Sequence, residues 1–122
     1  DCYLDETWKK KAIDNRWLLT EEKSENVINR IKGTAEHPRF IERVPEGTEF
    51  KFLLTFKVLQ DGDDTLFNTI LLDGLKLLEM DAIGGSGSRG YGRIKFTQLL
   101  LNGHDITTNF NERNPIAQKA MK

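Results

Sequence analysis

A chain of 122 residues, 38% hydrophobic and 30% charged, is sized for one domain that buries a real core. Ten Gly and three Pro exclude a collagen-like or wholly disordered polymer. The longest apolar runs, such as Leu99–Leu101, are too short for a bilayer span or a signal-peptide core. With a formal charge of -1, the whole molecule exerts no long-range pull on a polyanion.

Charge is nevertheless sorted along the chain. Residues 44–81 set Lys51, Lys57 and Lys76 against Glu46, Glu49, Asp61, Asp63, Asp64, Asp73, Glu79 and Asp81, a local sum of -5. Residues 82–95 carry Arg89, Arg93 and Lys95 with no acid, a sum of +3, and residues 27–43 carry Arg30, Lys32, Arg39 and Arg43 against Glu36 and Glu42, a sum of +2. Both basic stretches are marked by Gly or Pro, and each reads either as a solvated loop or as an anion site. Cys2 is the single cysteine, so no internal disulfide forms, and a reducing compartment, the cytoplasm, is the expectation. The chain opens at Asp1 without an initiator Met, which fits a processed product or a piece of something longer.

In chain order, residues 20–32, TEEKSENVINRIK, have the propensity of a helix capped by Thr20, with a narrow apolar stripe of Val27, Ile28 and Ile31. Residues 33–47 hold turn formers at both ends of a basic, apolar centre and suit a projecting hairpin or loop. In residues 48–59, Phe50, Phe52, Leu54, Phe56 and Val58 alternate with Glu49, Lys51, Leu53, Thr55 and Lys57, which predicts a half-buried strand. Spacing then turns helical over residues 65–81, with Phe67, Leu71, Leu75 and Leu78 on one stripe, flanked by Ile70 and Leu77. Asp63 or Asp64 is placed to cap its start, and Gly84 or Gly85 to close its end in a left-handed conformation. Period two returns over residues 91–100, with Tyr91, Arg93, Lys95 and Thr97 opposite Ile94, Phe96 and Leu100, and residues 102–122 are polar without a strong period, a tail that drapes over the surface or frays.

Strand, helix and strand predict a βαβ unit with a right-handed crossover. Two such strands do not make a stable sheet alone, and Phe50, Phe52, Phe56 and Phe96 need more cover than one helix gives. Further strands are therefore expected from outside the unit. The fold class is α+β, the C-terminal βαβ half of a ferredoxin-like, RRM-type fold. The chain divides into residues 1–47, residues 48–100 and a tail at 101–122, all within one partial domain.

Residues 84–93, GGSGSRGYGR, are the most informative segment: five glycines in ten positions between a helix end and a strand start. Gly84, Gly85, Gly87, Gly90 and Gly92 allow close approach of backbone amides to phosphate oxygens, with Ser86 and Ser88 between them. Arg89 and Arg93 add bidentate phosphate donors, and Tyr91 offers a ring for a base or ribose. A loop that follows a helix is neither a P-loop nor a dinucleotide fingerprint. Contact with a nucleic-acid backbone, a flexible connector and a small-anion site all remain open on residue types alone.

The run DGLKLLEMDAIGGSGSRGYGRIKF, residues 73–96, resembles the helix, glycine loop and strand of RAMP-superfamily proteins, specifically the repeated backbone subunit of type III CRISPR effector complexes of the Csm kind. ENVINRIKGTA and RFIERVPEGTEF resemble the segment leading into the same subunit's thumb-like hairpin and the strand after it. The resemblance implies a subunit stacked in a filament along a guide RNA, with neighbouring copies, other effector subunits and a complementary target RNA as partners and no membrane. Carried over by position, Gly84–Arg93 grip the guide, Asn29, Arg30 and Lys32 lie at the RNA-facing base of the thumb, and Arg39, Phe40, Ile41 and Arg43 form or flank its tip. It also favours an extended conformation over a helix at residues 20–32. Related full-length subunits cleave target RNA as endoribonucleases with a divalent metal, but their catalytic aspartate belongs to the N-terminal half, so no position here inherits it. The chain looks like the C-terminal half of such a subunit and carries no cofactor of its own.

Other chemistry has weaker support. His37, His104 and Cys2 lack metal-ligand spacing, and QDGDD at residues 60–64 lacks the glycine offset and terminal Glu of a calcium loop. Ser86 and Ser88 sit on no nucleophile elbow. Trp8 and Trp17 fit a core or interface better than a stacking platform. Two other functions stand beside the backbone subunit: a metal-dependent ribonuclease using Asp61, Asp63 and Asp64, and an interaction module of the same fold that binds no nucleic acid.

Overall fold

In the computed structural model, which describes residues 1–120 and side chains as far as Ala117, the chain divides into two units, Asp1–Thr55 and the residues from Phe56 onward. Among the described residues, helices are combined with three two-stranded sheets, all antiparallel. In the first unit, β1 (Cys2–Leu4) pairs with β4 (Phe50–Phe52) in the register Cys2 to Phe52. The ladder is extended at one end by the Asp1 ammonium, which donates to the Leu53 carbonyl at 2.8 Å. Between them α1 (Glu6–Asp14) starts at Asp5, whose carboxylate accepts from the Trp8 amide at 2.9 Å. Trp8 and Ala12, one turn apart, form its buried face, and the Trp17 ring lies 6.4 Å from that of Trp8.

The strand expected over residues 48–59 is only three residues long, Phe50–Phe52. Its partner β1 offers three residues, and a ladder cannot outrun its partner. The segment beyond it joins no sheet among the described residues.

Within residues 20–32, Glu21–Asn29 are extended and residues 30–32 enter a turn; none of it is helical. Strands β2 (Glu21–Asn29) and β3 (Thr34–Arg43) make a long antiparallel hairpin in which Glu21 faces Arg43 and Asn29 faces Thr34. The register slips between Glu25 and Val27, where His37 takes a φ of 53° beside Pro38. A proline without an N–H is tolerated at such a bulge. Glu21 and Arg43 pair at the open end, Nε to Oε1 at 2.5 Å. Both faces of the hairpin are largely solvated, with Val27, Ile28, Ile31 and Phe40 exposed.

The second unit is built around a continuous helical rod: α2 (Asp63–Leu66), a π-helical turn at Phe67–Leu72, and α3 (Asp73–Met80). The predicted stripe of Phe67, Leu71, Leu75 and Leu78 is the inward one, with Leu72 buried beside it, while Ile70 and Leu77 lie exposed. Its ends differ from expectation. Gly62, at φ 96°, is the cap, and the Asp63 carboxylate turns back to accept from the Leu59 and Gln60 amides at 2.9 and 3.2 Å. The rod stops at Asp81, whose amide is shared between the Leu77 and Leu78 carbonyls, and the left-handed residue follows three positions later, at Gly84 with φ 75°.

Residues 91–99 form no strand, and β5 is confined to Leu100–Leu101, paired with β6 (His104–Asp105). No parallel pairing joins residues 48–59 to residues 91–100 among the described residues. The tail is also more than a drape. It holds α4 (Thr107–Glu112) and α5 (Pro115–Ala120), and Phe110 of α4 is fully buried. The Phe96 ring meets Phe110 edge-on at 5.6 Å, and the Lys76 ammonium lies 5.0 Å from the Phe110 ring centre. Arg113 ties the tail to the rod, donating to Asp73 at 2.7 Å and to both the carbonyl and the side-chain oxygen of Asn68 at 3.1 Å. Polarity misled here, because one aromatic residue among Asn, Thr and Glu supplies the burial.

Candidate nucleic-acid interface

The glycine segment is a shaped loop, not a slack connector. The Ile83 amide donates to the Gly92 carbonyl at 2.9 Å and closes its neck. Inside, Ser86 adopts the left-handed region at φ 60°, a single 3₁₀ turn follows at Gly87–Arg89, and the Arg89 and Gly90 amides donate back to the Ser86 and Gly87 carbonyls. Gly92 is required at the neck: with φ 76°, a Cβ there would lie 1.9 Å from the Ile83 oxygen. Residues 83–90 are exposed, as is Arg93, so the loop and the residue just past its neck present Arg89 and Arg93 to solvent.

Tyr91 departs from expectation. It is 7% exposed and packs inside the unit, so its ring is not a stacking platform here. Left-handed glycines on both sides, Gly90 and Gly92, reverse the chain around it.

The hairpin places the other predicted residues differently from expectation. Its turn spans residues 30–33, so Asn29, Arg30 and Lys32 are at the tip and not the base. Arg39, Phe40, Ile41 and Arg43 pair with Glu25, Ser24, Lys23 and Glu21, on the half nearer the open end. The reason is local: Asn29 folds the turn, its Oδ1 accepting from the Ile31 and Lys32 amides at 3.0 and 3.2 Å while its Nδ2 donates to Glu36 at 2.9 Å. Gly33, at φ 66°, completes it. Arg30, Ile31 and Lys32 project from the tip, all exposed.

The acidic alternative fares worse. Asp63 is spent on the Leu59 and Gln60 amides, and Asp64 accepts from the Thr65 amide at 3.0 Å. Among the described residues no group of three His, Cys, Asp or Glu side chains is disposed to hold a metal ion. A divalent metal therefore does not fit these residues. No described helix is long and apolar enough to cross a membrane. One carboxyl is perturbed: the Thr107 hydroxyl and amide, the latter at 2.8 Å, hold Asp105 below its ordinary value of 3.8.

Sequence reasoning passed over three structural residues. Asp5 followed by Trp8 and Ala12 is a readable helix start, and DCYLD before it a readable short strand. Glu79, which accepts from both the Lys76 ammonium at 3.0 Å and the Phe96 amide at 3.3 Å, carries no sequence signal. Neither does Arg113, whose partners lie 40 and 45 positions away.

Comparison with known proteins establishes the family. The family model for the RAMP superfamily matches residues 7–95. The "CRISPR system Cms endoribonuclease Csm3" of Methanocaldococcus jannaschii is 44% identical over 103 residues, covering 83% of this chain and 40% of that protein. Proteins of the same name from Streptococcus thermophilus and Mycobacterium tuberculosis are 40% and 45% identical over 95 residues, covering 73% and 66% of this chain and 43% and 39% of theirs. The chain thus spans about two-fifths of the length of these curated relatives. With the family model covering most of its length, the chain belongs to the RAMP superfamily and is a Csm-like member of it.

Proposed function

We propose that this chain is the guide-RNA-gripping part of a backbone subunit in a type III CRISPR ribonucleoprotein of antiviral defence, acting in the cytoplasm. The observation that carries the reading is the neck-closed, glycine-rich loop Ile83–Gly92, with Arg89 exposed on it and Arg93 exposed just past its neck. Gly84, Gly85, Ser86, Gly87, Ser88, Gly90 and Gly92 supply the backbone that meets phosphate, and the two arginines supply charge. The hairpin β2–β3 serves as the thumb. Asn29 shapes its tip, Arg30 and Lys32 meet the duplex of guide and target, and Arg39, Phe40, Ile41 and Arg43 form its shaft.

Two further features support the reading. Segments 53–60 and 91–99 join no sheet among the described residues, and Leu53, Leu54, Val58 and Leu59 are exposed. In a ferredoxin-like sheet both segments would receive partner strands, which is our reading of the fold, with residues 1–47, 48–100 and 101–122 as parts of one RAMP domain. Neighbouring copies and other effector subunits complete the assembly. Target cleavage, with any divalent ion it uses, is assigned to residues outside those described.

The test is the salt dependence of RNA binding by the 122-residue chain. Arg89→Ala with Arg93→Ala should weaken binding on any RNA sequence and lower the slope of log K against log salt by about 0.7 per lost phosphate contact. An unchanged slope removes the proposal.

A further inference from the structure

We infer that the phosphate-binding surface continues past the glycine loop onto Lys95, and that Glu79 is the residue that positions it. This rests on the reading of the loop as an RNA site and adds two residues to it. Burial alternates from Gly92 to Thr97: Gly92, Ile94 and Phe96 are half-buried, while Arg93, Lys95 and Thr97 are exposed. That is the period of a strand, although no strand pairs with it. Arg93 and Lys95 therefore leave one face of the segment, roughly 6.6 Å apart along an extended chain. Two cations at that interval are suited to successive phosphates of a single strand.

A segment without a ladder needs something else to fix its direction. Two anchors do so, the Ile83 to Gly92 bond at the neck and the Phe96 amide donating to Glu79 Oε1 at 3.3 Å. The Phe96 ring is pinned as well, edge-on to the fully buried Phe110. Glu79 is an unfavourable choice by electrostatics alone, since it puts a carboxylate in the last turn of α3, against the helix dipole. Lys76, one turn earlier, neutralises it at 3.0 Å, and the pair is largely shielded, with side-chain exposures of 14% and 12%. A shielded acid next to a basic segment weakens a polyanion site by charge, so its use here is geometric: it replaces the missing neighbour strand as acceptor for Phe96.

That assignment separates charge from position. Were Glu79 only a nearby charge, removing it would tighten RNA binding. As a positioning residue, its removal loosens binding. The experiment measures binding of a fluorescein-labelled oligouridine to the full 122-residue chain by anisotropy across a salt series, with thermal melts run on each variant. Lys95→Gln is expected to lower the salt slope by about 0.7 with an unchanged melt. Glu79→Ala is expected to lower it by about 1.4, as Arg93 and Lys95 lose register together, whereas Glu79→Gln, which keeps an acceptor for the Phe96 amide, retains the parent slope. A Lys95→Gln slope equal to the parent's overturns the inference, and so does tighter binding by Glu79→Ala. If Glu79→Ala does not melt cooperatively, Glu79→Gln and Lys95→Gln decide: a Gln variant that folds yet loses the slope overturns the role of Glu79. Absence of any salt-dependent binding by the parent chain, by contrast, strikes the RNA reading itself.

Discussion

Gly92→Ala isolates what the neck of the glycine loop requires. The residue has φ +76°, where a Cβ costs about 1–2 kcal/mol. The new methyl would lie 1.9 Å from the Ile83 oxygen, and retreat to a tolerable distance breaks the Ile83 to Gly92 hydrogen bond, worth about 1 kcal/mol. The total loss is about 2–3 kcal/mol, a large share of the 5–15 kcal/mol typical of a folded domain. Gly90→Ala is the matched control. Its φ of +86° imposes the same strain, but nothing lies within 4 Å of the added Cβ, so about 1–2 kcal/mol is expected. Urea denaturation of parent and both variants measures the difference. Equal losses at the two positions would refute the reasoning, because only Gly92 has the Ile83 oxygen in the way of the added methyl.

Phe110→Ala, which empties the one fully buried large side chain among the described residues, should cost about 3–5 kcal/mol and leave the second unit without a cooperative melt. Asn29→Ala removes three hydrogen bonds from the hairpin tip; amide exchange at Ile31 and Lys32 should quicken by about tenfold or more while the melt of the second unit stays put. For Asp105, Thr107 depresses the folded carboxyl below 3.8, so its stabilising contribution is complete above that value and fades as pH falls through the lower folded one. Asp105→Asn should therefore flatten the acid limb of the stability profile below about pH 4, and an identical acid limb would show that the Thr107 contacts do not persist in solution.

The rod of the second unit was legible because its side chains sort by helical period. Phe67, Leu71, Leu75 and Leu78 face inward, and Ile70 and Leu77 remain outside, as spacing requires. Its caps were less legible. An Asp near a helix start can bond forward or backward, and Asp63 bonds backward to Leu59 and Gln60. Period two in residues 48–59 and 91–100 reported faces correctly for Arg93, Ile94, Lys95 and Phe96 but not ladders, since a ladder depends on a partner that spacing cannot supply. Tyr91 shows the limit for site residues. Its type invites stacking, yet two flanking left-handed glycines fold it inward. The tail failed for the opposite reason: one Phe in a polar stretch leaves no periodic trace, although Phe110 carries the core.

The hairpin sharpens the same point. Charge and composition marked residues 27–43 as basic and turn-rich, but only Asn29 bonding to Ile31, Lys32 and Glu36 decides that the turn lies at residues 30–33. Arg30 and Lys32 are thereby carried to the tip, and Arg39 and Arg43 toward the anchored end.

The most direct measurement is photocrosslinking of a 4-thiouridine RNA to the 122-residue chain, followed by peptide mapping. Crosslinks concentrated in residues 84–95, with a second cluster at 29–33, are what a phosphate-gripping loop and a thumb tip predict. Crosslinks confined to the acidic stretch 44–81, with none in the glycine loop, would contradict the account.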